Sequence, residues 1–77
     1  MTFAEMYDKF KNWNPKMAEM VVNWRPWGSY SICLWLRNGM IYKARYYGEN
    51  RFIMQTITEE DVNRKYDEVL KNEDSRS

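Results

Sequence analysis

The sequence predicts a single small α+β domain of order ααβββα, a three-stranded antiparallel meander with its helices packed on one face. Three observations predict it. An Asn38-Gly39 pair stands between two runs of alternating apolar residues, the strongest short-range hairpin signal a sequence offers. Thr2-Phe3-Ala4-Glu5 and Thr58-Glu59-Glu60-Asp61 each open an amphipathic stretch with a capping hydroxyl. Rings make up 17% of the 77 residues, and large rings bury enough area for a short chain to assemble one core.

The first helix begins at the capping box, where the Thr2 hydroxyl and the Glu5 side chain satisfy free amides reciprocally. Phe3, Met6, Tyr7 and Phe10 recur at spacings of three and four and make one buried stripe opposite Asp8, Lys9 and Lys11. Asn14-Pro15 closes this helix, because the residue before a proline is pushed out of helical geometry, and also opens the next, with Asn14 as cap and Pro15 in the first turn. Met17, Met20, Val21 and Trp24 give the second helix its stripe. Arg25-Pro26-Trp27-Gly28 breaks it.

The meander spans Tyr30 to Ile57. A two-residue Asn38-Gly39 turn would set Leu34 against Lys43 and Ile32 against Arg45, mixing apolar and charged residues on one face. A three-residue Arg37-Asn38-Gly39 loop with Gly39 left-handed shifts the pairing by one: Leu36 faces Met40, Leu34 faces Tyr42, Ile32 faces Ala44 and Tyr30 faces Tyr46. Only the second register yields a wholly apolar face. A Gly48-Glu49-Asn50 loop then sets Tyr46 against Phe52 and Ala44 against Met54. The last helix carries Val62, Tyr66, Val69 and Leu70 inward, with Ile57 and Val62 as a hydrophobic staple. The domain is expected to cover residues 1–72, with 73–77 a disordered polar tail.

Net charge is +1, unevenly spread. Residues 25–57 hold five bases against Glu49 alone, and residues 58–77 hold seven acids against four bases. One cysteine, Cys33, and no histidine leave no disulfide, no tetrahedral zinc site of the usual ligands and no nucleophile-base pair. Glu59, Glu60 and Asp61 point in different directions on a helix and read as favourable charge at its positive end rather than as a metal site. No enzyme activity, cofactor or metal is expected. No apolar run is long enough to span a membrane and the N-terminus has no signal-peptide pattern, so a cytoplasmic location is expected.

The face opposite the apolar one combines rings and cations. Trp35, Lys43, Arg45, Tyr47 and Arg51 are its candidate partner-binding residues: tryptophan, tyrosine and arginine are enriched in interface hot spots, and rings interleaved with cations also suit single-strand nucleic-acid platforms. The acidic last helix, Glu59, Glu60, Asp61, Asp67 and Glu68, is a secondary candidate surface that imitates phosphates. The chain is expected to be a monomer or a weak homodimer.

The run Trp24, Pro26, Gly28, Ser31-Ile32, Leu36, Asn38, Tyr42, Tyr46, Arg51-Phe52 and Thr56 resembles short uncharacterised prophage-encoded proteins of Gram-positive bacteria. That resemblance implies a non-enzymatic accessory protein that binds and modulates a bacterial host protein. A host defence nuclease is the partner in the anti-CRISPR case. The alternative is a small single-stranded nucleic-acid-binding module that uses the ring-and-cation sheet face.

Overall fold

Thr2 caps α1 (Phe3–Trp13) as expected: its hydroxyl accepts the Glu5 N–H at 3.1 Å and donates to the Glu5 carboxylate at 3.3 Å. These features come from a computed structural model that describes residues 1–74, with side chains described through 67. Asn14 divides α1 from α2 (Pro15–Met20), and its side-chain oxygen accepts the Met17 N–H at 3.1 Å while Pro15 occupies the first turn. The first two helices are therefore separate.

Four strands follow, not three. β1 (Val21–Gly28), β2 (Ser31–Leu36), β3 (Ile41–Gly48) and β4 (Arg51–Ile57) pair in chain order as one antiparallel sheet. The second helix was expected to run through Trp24, but it ends at Met20. The spacing of Met17, Met20, Val21 and Trp24 suits a helix, yet from Val21 onward the chain gains a ladder against β2, with Val21 opposite Leu36 and Trp24 opposite Leu34. Pro26, which cannot donate to a ladder, is tolerated because β1 lies at the sheet's edge. Trp24 still enters the expected core, its ring stacked 5.0 Å from that of Tyr7.

The register around Gly39 is the one the alternation predicts. Leu34 pairs with Tyr42 and Ile32 with Ala44, and Gly39 sits at φ +90°, a region that glycine enters without a Cβ penalty. Tyr30 departs from expectation. It lies in the Ser29-Tyr30 turn between β1 and β2 at φ +59°, exposed, although its carbonyl still accepts the Tyr46 N–H at 2.7 Å. The β3–β4 connection also differs: Glu49 and Asn50 form a two-residue left-handed turn, and Gly48 belongs to the strand opposite Arg51. An extra residue at Tyr47, bulged between Tyr46 and Gly48, absorbs the difference, so Tyr46 pairs with Phe52 and Ala44 with Met54 as read.

The helices divide between the two faces, which corrects the expectation of a one-sided pack. α1 and α2 cover the even-numbered face of the central strands, where Met6 and Phe10 close over Ile32, Leu34, Ala44 and Phe52. α3 (Glu59–Asp74) covers the other face, where Val62 packs with Cys33, Ile41 and Ile57, flanked by Trp27, Trp35 and Tyr66. An amphipathic stripe specifies that a helix packs, not on which side, and the odd-numbered face carried enough apolar surface at Cys33, Ile41 and Ile57 to receive one. Thr58 and Asp61 cap α3 reciprocally, each side chain bonding the other's N–H at 3.1 Å. α3 continues past the expected end at residue 72 to Asp74, and the rest of the expected disordered tail, 75–77, lies outside the described residues.

Candidate interaction surface

β-pleating puts Cys33, Trp35, Ile41, Lys43, Arg45, Ile53, Gln55 and Ile57 on one face, since Cys33 pairs with Lys43, Lys43 with Gln55, and Arg45 with Ile53. α3 crosses that face obliquely, from Ile57 near the Gly39 loop to Pro26 and Gly28 of β1 beside the 29–30 turn. There Trp35 is half buried in the apolar cluster, and the Arg25 guanidinium lies 5.8 Å from its ring centre and 5.9 Å from that of Tyr66. Tyr66 donates from its hydroxyl to the Pro26 carbonyl at 2.9 Å, tying α3 to the edge strand β1.

The β3–β4 corner of the face stays open, beside the turn at residues 49–50, whereas Ser31 near the 29–30 turn is buried. Arg45, Arg51 and Ile53 (52% exposed) are exposed there, and Tyr47 (66%) in the β3 bulge and Tyr30 (65%) in the 29–30 turn are exposed at the same end of the sheet. Arg51 reaches Glu49 only at 3.6 Å in a fully solvated setting, so its charge stays available. Of the five candidate binding residues, Arg45, Tyr47 and Arg51 therefore share an open end of the sheet. Trp35 joins the second core, and Lys43 lies between.

Lys43 lines a cleft of about 290 Å³ between β3, β4 and α3, with Trp27, Gln55, Ile57, Asp61, Arg64 and Lys65 around it. Lys65 sits 5.8 Å from the centre of the Trp27 ring. Asp61 is committed to its cap: the Thr58 N–H and hydroxyl, then the Arg64 charge, hold its carboxyl below the usual carboxylate range. The secondary acidic surface is interrupted by the same arginine, which reaches Glu60 at 3.7 Å and Asp61 at 4.0 Å. Glu59 and Asp67 are exposed, and the Glu68 side chain lies outside the described residues.

Cys33 is sealed under α3, and burial pushes its thiol up to about 11 against the lowering pull of Arg25, so it stays protonated at neutral pH. Among the described residues no three ligand-type side chains stand close enough to hold a metal ion, and no helix is long and apolar enough to cross a membrane.

Sequence reasoning missed Tyr30 as a surface residue. Ile53 was legible by alternation from Arg45. Tyr30 was hidden because it continues the apolar alternation of Ile32 and Leu34, while the break before the sheet was read at Arg25-Pro26-Trp27-Gly28.

Fold and surface together define the class: a small α+β domain with a four-stranded antiparallel meander between helices, open at one corner of one face. No family model, curated protein or solved structure matches the chain.

Proposed function

We propose that this chain is a small accessory protein that acts by binding a bacterial host protein, without catalysis of its own, through Tyr30, Arg45, Tyr47, Arg51 and Ile53. The observation that carries the reading is Tyr30. A tyrosine at φ +59° costs about 1 kcal/mol relative to glycine in the same turn, while the residue stays 65% exposed. Folding does not account for a ring there; a contact made by that ring does. The neighbouring cations and the exposed Ile53 are of the kinds that anchor and orient protein interfaces. The resemblance to prophage proteins supports a host protein as the partner, with an inhibitor of a defence nuclease as the particular form. The nucleic-acid alternative has less support, since its central ring, Trp35, is occupied by Arg25 and α3.

The test is affinity capture from a Gram-positive host lysate. It compares the wild-type chain with Tyr30→Gly, with Arg45→Glu and with an acidic-face control, Asp67→Lys. A stoichiometric partner lost on Tyr30→Gly and Arg45→Glu but kept by Asp67→Lys is expected. Tyr30→Gly should at the same time raise the unfolding temperature, separating contact from stability. Recovery of no protein, or equal recovery by Arg45→Glu, overturns the reading. Salt-sensitive binding of a single-stranded oligonucleotide would move it to nucleic acid.

A further inference from the structure

The two outer strands of the sheet end differently. β1 carries Pro26 and register breaks between Val21 and Asn23 and between Pro26 and Gly28, devices that keep a second strand from adding. β4 has no proline, glycine or break in its own run, and its one charge, Arg51, stands at the very start. The Leu36 N–H bonds the Met40 carbonyl at 2.9 Å and the Tyr46 N–H bonds the Tyr30 carbonyl at 2.7 Å, so the even-numbered residues of β3 bond toward β2. By antiparallel alternation their partners on β4, Phe52, Met54 and Thr56, direct N–H and C=O away from β3. Among the described residues no other backbone group meets them.

We infer that a second copy of this chain pairs antiparallel along this edge, about a two-fold axis through Met54, making one continuous sheet across two chains. Met54 then faces the partner's Met54, Phe52 the partner's Thr56, Ile53 the partner's Gln55 and Arg51 the partner's Ile57. The register is self-complementary. It satisfies the outward N–H and C=O of Phe52, Met54 and Thr56 in both chains and sets no like charges directly opposite each other on the paired strands. Apolar groups flank the edge on both sides: Trp13, 38% exposed and 5.5 Å from the Phe52 ring, and half-buried Met54 on one face, exposed Ile53 on the other. A copy of the same strand brings the same apolar set to cover them, and a chain of net charge +1 repels itself little. One seven-residue strand is a small interface, so the dissociation constant should be on the order of 10–100 µM. This pairing shares Ile53 with the proposed host-binding surface but does not depend on that reading, and it is tested on the purified chain alone.

Sedimentation equilibrium from about 10 µM to about 1 mM, a range bracketing a weak interface, should show the mass rising from monomer toward dimer. Thr56→Pro removes an outward N–H that β3 does not use, and Ile53→Lys charges the exposed flank without touching either core. Each should weaken association by about tenfold or more, with near-ultraviolet circular dichroism reporting an intact fold. If Thr56→Pro perturbs folding, Ile53→Lys decides. Val22→Lys, on the exposed surface of β1, should associate like the wild type. A monomer at every concentration overturns the inference, and so does association that survives Ile53→Lys in the folded state or is lost on Val22→Lys instead.

Discussion

The two faces of the sheet are built to different depths. Under α1 and α2, Met6, Phe10, Ile32, Leu34 and Ala44 are excluded from water, and rings interlock around them: Phe10 meets Phe52 edge-on at 5.6 Å, and Trp13 and Tyr46 lie 5.5 and 5.4 Å from Phe52. Under α3 only Cys33 is fully excluded. Ile41, Ile57 and Val62 keep some contact with water, and clefts of about 290 and 330 Å³ open on either side of the helix. The first face supplies the stability. The second is thin enough to leave its β3–β4 corner free for contact, and α3 should open before the rest of the chain.

The largest effect should come from the deep face. Phe10→Ala removes a fully buried ring at a cost of about 3–5 kcal/mol, comparable with the whole stability expected of a chain this short, so the variant should be largely unfolded at 25 °C by circular dichroism. On the thin face Val62→Ala should cost about 1.5 kcal/mol in denaturant titration. Hydrogen exchange in this variant should quicken in α3 well before β2 and β3. Equal acceleration everywhere would mean that the two faces form one cooperative layer. Tyr66→Phe deletes the bond to the Pro26 carbonyl and should cost about 0.5–1 kcal/mol, since the hydroxyl it loses is only partly shielded from water.

The last effect appears only at alkaline pH and again belongs to the thin face. An unfolded Cys33 thiol loses its proton near 9, and the native one holds it to about 11. The folded state therefore favours the protonated form, and that contribution is complete below pH 9 and lost as pH rises toward 11. The phenol of Tyr66, raised by its burial and then by Cys33 against the opposing pull of Arg25, acts in the same direction. Unfolding temperature should fall more steeply between pH 9 and 11 in the wild type than in Cys33→Ala. An identical slope would mean that the thiol is not enclosed.

Residues with only one workable conformation or one workable partner were read correctly from the chain alone. Gly39 is the clearest, because a single glycine at positive φ sorts Ile32, Leu34 and Ala44 to one side, and no other register leaves an apolar face. Asn14 and Thr58 were equally legible, since a cap is a local contract between neighbours. β1 was not. Its apolar residues satisfy helical and extended spacing alike, and Pro26 speaks against a strand unless that strand lies at an edge. Among the candidate binding residues, Arg45, Tyr47 and Arg51 were found by alternation, whereas the loss of Trp35 to the second core could not be foreseen without knowing where α3 lands.

By itself, then, the chain of residues determined the caps, the central hairpin and its register, and the ring-rich composition of the larger core, because each rests on contacts within a few positions or on strict two-residue alternation. The tertiary structure alone decided that Val21–Gly28 extends as an edge strand and that α3 crosses to the far side of the sheet. Both choices turn on which distant apolar surface is still uncovered when the chain arrives, and no local spacing carries that information.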